Sequence, residues 1–208
     1  DAMVESRRWV AAAFEGAVAP APTPGMEVLA NYDLVQKNAR FGKPLKLADY
    51  KGKFVVLEWV NPECPYVRKH YNSANMQGLQ KEFTAKNVVW LAVNSTDSAH
   101  YDYLSPDKLA AWGKEKTAAP TAFVMDESGK IGQSYGAKTT PHMYIVNPQG
   151  TLVYAGGIDS IPSARAEDIK TATNYVRQGL NEALAGKPLS QAVTQPYGCT
   201  VKYKSASL

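Results

Sequence analysis

The sequence predicts an α/β fold in which helices flank a central mixed β-sheet, mostly parallel with an antiparallel edge. Short, almost continuously apolar runs at 54–60, 88–93 and 121–126 are typical of strands that are buried on both faces. Segments with the apolar spacing of helices separate these runs. In such sheets, functional sites form beyond the carboxyl ends of the parallel strands.

Turn and cap signals define the remaining elements. An Asn-Pro-Gln-Gly turn at 147–150 predicts an antiparallel hairpin of strands 142–146 and 151–155. Ser105 is expected to cap one helix with its side chain, and Gly186 to end the last helix. The predicted helices are 65–84 with a break at 72–75, 105–116, 129–135 and 163–185.

One globular domain is expected at 28–188, with an appendage at each end. The chain has 208 residues, 45% of them hydrophobic, which suits one core that needs no disulfide scaffold. Residues 1–27 are expected to form a short helix over 3–18 and then a proline-rich linker. Residues 189–208 form a C-terminal tail that carries Cys199.

Charge and hydropathy argue against two classes of function. The net charge is only +4, with lysines and arginines scattered among acids, whereas a nucleic-acid-binding protein concentrates basic residues. No run approaches the ~18 apolar residues of a membrane-spanning helix. The sequence begins at Asp1 without a basic and then apolar segment, so we expect a signal peptide to be absent or removed.

Cys64 lies where chemistry is expected, just beyond the 54–60 strand. It precedes a helix that begins at Pro65, so unpaired N–H groups and the positive end of the helix dipole should favour its thiolate. The alternative is an inert, buried cysteine, which the polar Pro-Glu-Cys-Pro segment disfavours.

Glu58 lies within the same apolar strand, where burial of a carboxylate is costly without a role or a partner. Desolvation would raise its pKa and make it a candidate proton carrier. The alternative is a carboxylate at the strand edge, paired with a lysine such as Lys53.

Two segments together resemble a known family. VVLEWVNPECPYVRKHY at 55–71 is similar to the active-site strand and helix of thioredoxin-fold proteins, and TTPHMYIV at 139–146 resembles their cis-proline loop. The resemblance covers roughly 28–186 and is to the AhpC/TSA redoxin branch, which is also similar to TlpA-type periplasmic oxidoreductases. It implies a thioredoxin-like three-layer sandwich and thiol redox chemistry without a cofactor.

The resemblance also implies roles for individual residues. Cys64 matches the nucleophile, Glu58 the buried acid below it, and Pro141 the cis-proline. Substrate is then expected beside the Cys64 sulfur, against the residue after Cys64 and against the cis-proline with its two neighbours. The expected substrate-binding residues are Pro65, Thr140, Pro141 and His142.

The sequence departs from the family's motifs. Val67 occupies the second cysteine position of C-x-x-C, so exchange within one tetrapeptide is impossible. Leu57 and Asn61 replace the proline and threonine of the common peroxiredoxin motif, which places peroxide chemistry in doubt. Arg68 is expected either to stabilise a thiolate or hydroperoxide, or to be a solvated helix residue.

Cys199, in a glycine-containing turn of the tail, is the candidate resolving cysteine that Val67 cannot be. The alternatives are a static Cys64–Cys199 disulfide, an intermolecular link through Cys199, or two free thiols. A soft-metal site from Cys64, Cys199, His142 and Met143 is a further alternative, although no metal-ligand spacing supports it.

We therefore predict a thiol–disulfide oxidoreductase acting on protein thiols or disulfides, with an external thiol as reductant. The alternative enzyme is a thiol peroxidase in which Cys199 traps a Cys64 sulfenic acid formed by a hydroperoxide. A third hypothesis is a redoxin scaffold that binds copper or a partner. An extracytoplasmic bacterial location is the first expectation and a cytoplasmic one the second.

Overall fold

The computed structural model describes residues 23–25, 36–37 and 44–205. The predicted helix over 3–18 lies outside these residues. So does the Gly42-Lys43 turn, around which the sequence also predicts a hairpin. The short strands on either side of that turn do pair antiparallel, as Gln36–Lys37 with Pro44–Leu45.

The strands of the described chain are β1 (Gln36–Lys37), β2 (Pro44–Leu45), β3 (Val55–Trp59), β4 (Val89–Asn94), β5 (Ala122–Met125), β6 (Thr139–Thr140), β7 (His142–Val146), β8 (Leu152–Gly156) and β9 (Cys199–Thr200). The five strands predicted from the sequence, here β3, β4, β5, β7 and β8, are present to within one or two residues, and four two-residue strands accompany them.

The central sheet has the strand order β5-β4-β3-β7-β8. Strands β3, β4 and β5 run parallel, and β7 and β8 are antiparallel, so the predicted mixed sheet is confirmed. Every residue of β3, β4 and β5 is buried, which explains their continuous apolar runs. In β8, buried and half-buried residues alternate, as expected of an edge strand.

The helices are α1 (Pro65–Asn72), α2 (Asn75–Thr84), α3 (Pro106–Glu115), α4 (Lys130–Tyr135) and α5 (Tyr175–Leu184), with 3₁₀ helices at Leu47–Tyr50 and Ala166–Lys170. The predicted break at 72–75 is confirmed, because Ala74 adopts a left-handed conformation with φ 59° between α1 and α2. No helix among the described residues is both long and apolar enough to cross a bilayer.

Two helix predictions are wrong in part. The helix predicted over 163–185 is a 3₁₀ helix followed by α5, because extended Asn174 accepts a hydrogen bond from the Arg177 N–H and starts a new helix. Ser105 precedes α3 as predicted, but its side chain makes no capping hydrogen bond within the described chain. Its carbonyl oxygen instead accepts from the Leu109 N–H at 2.9 Å.

The two faces of the sheet carry separate cores. One face packs Leu57, Trp59 and Tyr144 against α4 and the end of the tail. The other packs Val56 and Val60 against α1, α2 and α5. Because side chains alternate along a strand, Glu58 lies on the second face, beneath α1 and α2.

The tail returns from α5 along the β8 edge to the carboxyl end of β3. Ala155 bonds to tail residues Ala192 and Thr194 at 3.0 and 3.2 Å, in a main-chain ladder. Further along, β9 pairs antiparallel with β6. The described tail is thus docked over much of its length, and its course brings Cys199 to the predicted site.

Candidate active site

Cys64 is held where β3 gives way to α1. It occupies the N-cap position with φ −73° and ψ 124°, and Pro65 takes the first helical position. Its N–H donates to the Asn61 carbonyl at 3.0 Å, and its own carbonyl accepts from the Arg68 N–H at 2.9 Å. The residue is only 2% exposed, so the backbone fixes a buried sulfur at the end of the sheet.

The Cys64 sulfur does not bond to the first turn of α1, contrary to the sequence expectation. Within the described chain it makes no capping hydrogen bond and instead lies 3.1 Å from the Thr140 carbonyl oxygen, to which it donates. The Thr140–Pro141 peptide bond is cis. The thiol therefore faces the cis-proline loop, while the dipole of α1 still favours negative charge nearby.

Cys199 lies directly against Cys64. The two Sγ atoms are 2.6 Å apart, and no disulfide bond joins them in the described chain. In the pairing of β6 with β9, Cys199 stands opposite Thr140. The structure thus brings together the two cysteines that the sequence singled out, across 135 positions of the chain.

The Cys199 thiol holds its proton more tightly than an ordinary cysteine. Burial raises the pKa of Cys199 to about 12, and the hydrogen bond and negative charge of Cys64 add to that rise. Lys202 lowers it and Asp102 raises it further.

Gly198 permits the close approach of the tail, and sequence reasoning missed its importance. Its φ is +136°, and a Cβ built there would lie 2.0 Å from the Thr140 carbonyl oxygen and 2.8 Å from its carbon. Only glycine fits such a backbone contact without displacement. The signal in the sequence was the Tyr-Gly-Cys triplet, which identified a turn but not what the turn touches.

Glu58 is completely buried and accepts hydrogen bonds from three neutral side chains. Tyr71 donates its hydroxyl at 2.7 Å, Trp90 its indole N–H at 2.7 Å and Gln80 its amide at 3.2 Å. Burial raises the pKa of Glu58 to about 7, and those three bonds limit the rise. The alternative of a strand-edge pair with Lys53 is wrong, since these donors and complete burial account for the carboxylate.

His142 lies on the opposite face of the sheet from Glu58. It is in register with Trp59, its ring lies 4.6 Å from that of Tyr144, and its Nδ1 accepts from the Lys138 N–H at 3.2 Å. Burial lowers the pKa of His142 to about 3, so the imidazole is neutral at physiological pH.

The structure does not assemble the metal set that the sequence left open. Met143 and His142 are neighbours in β7 and their side chains point to opposite faces. In the described part of the chain, no group of three or more His, Cys, Asp or Glu side chains is placed to hold a metal ion.

Arg68 and Asn61 organise the loop that precedes Cys64. The Arg68 guanidinium is half-exposed, donates to the Pro62 carbonyl at 3.1 Å and pairs with the Glu63 carboxylate. The Asn61 side chain accepts from the Glu63 N–H at 2.9 Å and donates to Asp102 at 3.2 Å. These contacts shape the loop, and a role for Arg68 towards the sulfur stays a prediction.

A thioredoxin-like α/β sandwich with two apposed thiols at the carboxyl end of its central strand defines a redoxin. The AhpC/TSA family model matches residues 27–155, from before β1 to within β8. Because this match spans more than half of the chain, the protein belongs to the AhpC/TSA family. The matched region includes Cys64 and Pro141 but not the tail with Cys199.

Solved structures agree on the fold over most of the chain. An uncharacterized conserved protein from Geobacillus kaustophilus is 25% identical with TM-score 0.70, covering 90% of this chain and 98% of its own. Hypothetical protein SMc02350 from Sinorhizobium meliloti 1021 is 19% identical with TM-score 0.72, covering 90% and 96%. A putative thiol:disulfide interchange protein DsbE from Chlorobium tepidum, 19% identical with TM-score 0.50, covers 65% and 85%. No curated protein matches the chain.

Proposed function

We propose that this protein is a thiol–disulfide oxidoreductase in which Cys64 is the nucleophile and Cys199 the resolving thiol. The observation that carries the proposal is the 2.6 Å separation of the two sulfurs. The pairing of Cys199 with Thr140 supports it, because main-chain bonds hold the second thiol in line with the cis-proline loop.

The reaction follows from the two thiols alone. The Cys64 thiolate attacks a substrate disulfide R–S–S–R′, forms Cys64–S–S–R and releases R′–S⁻, which takes up a proton. Cys199 then attacks the Cys64 sulfur, so that Cys64–S–S–Cys199 forms and R–SH leaves with the proton that Cys199 loses. The substrate is reduced to two thiols, and an external thiol reductant restores the dithiol.

Glu58 is the proposed proton carrier of this cycle. Cys199 must lose its proton to attack, and its raised pKa makes that loss unfavourable without a base. With a pKa of about 7, the Glu58 carboxyl exchanges protons readily at physiological pH. Its position beneath α1, the helix that begins directly after Cys64, supports the assignment.

A thiol peroxidase is the second candidate, and one observation favours it. The Thr140 hydroxyl is buried and has no hydrogen-bond partner within the described chain, and the carbonyl oxygen of the same residue lies 3.1 Å from the Cys64 sulfur. A peroxide oxygen can accept from this hydroxyl, while Asn61 holds the position where peroxiredoxins carry a threonine. Attack of the Cys64 thiolate on the O–O bond would form the Cys64 sulfenic acid and release the alcohol, or water from hydrogen peroxide. The Cys199 thiol would then attack the Cys64 sulfur, so that the Cys64–Cys199 disulfide forms and water leaves.

Intact mass and peptide mapping of alkylated protein test both proposals. The reduced protein is mixed with a disulfide substrate or with hydrogen peroxide, quenched with an alkylating reagent and mapped over time. We expect a reversible Cys64–Cys199 link that forms faster with the disulfide. Faster formation with peroxide would select the peroxidase, and a Cys64 adduct that persists while Cys199 stays free would refute the resolving role.

Two serine variants assign the roles in the same assay. Cys199→Ser is expected to accumulate the Cys64 mixed disulfide, because the resolving thiol is missing. Cys64→Ser should form no mixed disulfide and lose at least ~10³-fold in turnover, since it lacks the nucleophile. Equal reactivity of Cys199 in the Cys64→Ser protein would contradict the assignment.

We also propose that the substrates are protein thiols or disulfides in an extracytoplasmic compartment. The likeness of the active-site segment to TlpA-type periplasmic oxidoreductases supports this location. A thiol reagent that cannot cross membranes, applied to intact cells that express the protein from its natural gene, should label Cys64. Labelling only after lysis would place the protein in the cytoplasm.

A further inference from the structure

A buried polar cluster holds the tail two residues before Cys199. The Tyr197 hydroxyl donates to Asp159 Oδ1 at 2.6 Å and lies 3.3 Å from both Lys69 Nζ and His70 Nε2. Lys69 Nζ is also 3.5 Å from Asp159 Oδ2. Sequence reasoning missed this cluster, because its members come from α1, the segment after β8 and the tail.

The charges in the cluster are buried and balance each other. The side chains of Lys69 and Asp159 are 0% and 2% exposed. Burial lowers the pKa of His70 to about 4, so the ring is neutral, and its Nδ1 is bonded to Asn75 at 2.8 Å. Asp159 Oδ2 has no hydrogen bond within the described chain, so Lys69 alone neutralises it there.

Such an arrangement adds little stability by itself, because desolvation of two charges offsets most of their attraction. Its effect is on geometry, since a buried carboxylate and ammonium orient the hydroxyl that lies between them. The Tyr197 ring also packs edge-on against Tyr66, with centroids 5.8 Å apart. The tail is therefore fixed immediately before Gly198, on the same helix whose N-cap is Cys64.

Docking of the tail covers the nucleophile. Cys64 is 2% exposed, and β6 has β9 as its partner, so Cys199 fills the main-chain edge beside the sulfur. A protein disulfide must reach Cys64 in the first step, and Cys199 must reach it in the second. The two steps therefore need the same edge in turn.

We propose that Lys69, His70, Asp159 and Tyr197 form a latch that positions Cys199 on Cys64 and opens to admit an extended segment of a substrate protein. The inference rests on the proposed function. It explains how substrate attack and resolution by Cys199 can use the same edge one after the other. With the latch closed, Cys199–SH attacks Cys64–S–S–R, giving Cys64–S–S–Cys199 and R–SH. With the latch open, the β6 edge is free for the incoming disulfide. The four latch residues are positioning residues, since none of the hydrogen bonds and ion pairs that they make in the described chain reaches a sulfur.

Tyr197→Phe tests the latch by removal of one oxygen. Reduced protein is equilibrated with glutathione and glutathione disulfide, and the Cys64–Cys199 fraction is measured by alkylation and mass. We expect the equilibrium constant for the link to fall about 10-fold, because a hydrogen bond to a buried charge is lost and the open dithiol gains population. Alkylation of reduced Cys64 should become faster by a similar factor.

Tyr103→Phe is the matched control, because it also removes a phenol hydroxyl that donates to a carboxylate, that of Glu127, outside the tail. It should change both readouts less than about 2-fold. If the equilibrium constant and the alkylation rate of Tyr197→Phe equal those of Tyr103→Phe, the latch is overturned, whatever the variant does to thermal unfolding. If the wild type forms no link, the proposed function fails, while faster Cys64 alkylation in Tyr197→Phe would still establish the latch.

A second measurement covers the case in which Tyr197→Phe folds poorly. Asp159→Asn keeps the size of the acceptor but removes its charge, and amide hydrogen exchange then reports opening of residues 195–203 directly. Exchange there should quicken by about 10-fold while exchange in β3 is unchanged. Equal protection of 195–203 in wild type and variant would overturn the latch.

Discussion

Cys64 and Cys199 meet at one site, but the regions that carry them are built by different means. Cys64 is placed by regular structure: a fully buried strand leads into a helix that starts at Pro65. Cys199 is placed by particular contacts in an irregular tail, namely a two-residue strand, the Gly198 approach and the Tyr197 latch.

The difference shows that the two cysteines can depend on separate sets of stabilising contacts. Contacts that fix Cys64 are shared with the sheet and its cores, so their loss unfolds the domain. Contacts that fix Cys199 lie between the tail and a finished domain. Substitutions in the tail should therefore alter the pairing of the thiols and the access to Cys64, with little effect on where the backbone places Cys64.

Gly198→Ala should have the largest effect on pairing while the domain stays folded. The new Cβ would overlap the Thr140 carbonyl, which belongs to backbone and cannot rotate away, so the tail must leave β6. We expect formation of the Cys64–Cys199 link to slow by about 100-fold or more. Quenched alkylation after addition of a disulfide substrate measures the rate.

Gly186→Ala is the control for this prediction. Gly186 also has a positive φ, +72°, but a Cβ there would meet nothing within 4 Å. Gly186→Ala therefore places alanine in a left-handed conformation but causes no collision. It should lower the free energy of unfolding by about 1 kcal/mol and leave the rate of thiol pairing unchanged. Equal pairing rates in the two variants would show that the tail does not need its contact with Thr140.

Glu58→Gln should slow disulfide exchange by about 10-fold near pH 7 and remove one limb of the rate–pH profile. The physical reason is that glutamine cannot exchange the proton that a carboxyl with a pKa of about 7 does. Rates of mixed-disulfide resolution from pH 5 to 9 check it. An unchanged profile would remove Glu58 from the mechanism.

Glu58→Gln should also change how the free energy of unfolding depends on pH. The pKa of Glu58 is raised from 4.5 to about 7 by burial, so the folded state holds a proton that the unfolded state has lost. Protonated Glu58 therefore favours the folded state, and this stabilisation is fully present below pH ~4.5. The free energy of unfolding then declines by about 3 kcal/mol as the pH rises through about 7. Denaturant titrations should show that decline in the wild type relative to Glu58→Gln.

Asp126→Asn is the matched control for a buried carboxylate. Burial raises the pKa of Asp126 as well, but this side chain accepts from the Ile131 and Gly132 N–H groups and fixes the start of α4. Its loss should lower stability and leave the rate–pH profile of exchange unaltered. A shifted profile in Asp126→Asn would mean that any buried acid in the domain perturbs the thiols.

The sequence could predict what depends on local pattern. Continuous apolar runs identified the parallel strands, and the change from strand to helix at Cys64 identified the candidate nucleophile. Glu58 stood out because a carboxylate within such a run needs an explanation. These features are carried by neighbouring residues, so a single sequence contains them.

The remainder depends on contacts between distant segments. Asp159 and Tyr197 look like ordinary loop residues, and Lys69 like a solvated helix lysine, until the tail folds back over α1. The face on which His142 lies depends on the register of β7 against β3, which the hairpin signal leaves open. Long-range packing therefore decided the environment of Cys199, whereas local pattern decided that of Cys64.

Arg68→Gln should have the smallest effect. The Arg68 side chain is 48% exposed and already bonded to Glu63 and the Pro62 carbonyl, and exposed ion pairs contribute about 1 kcal/mol or less. If Arg68 favours the Cys64 thiolate, it does so through solvent, so alkylation of Cys64 at pH 7 should slow less than 3-fold. Lys81→Gln, on α2, controls for the loss of one positive charge. A 10-fold slowing confined to Arg68→Gln would show that the side chain leaves Glu63 and reaches the sulfur during the reaction.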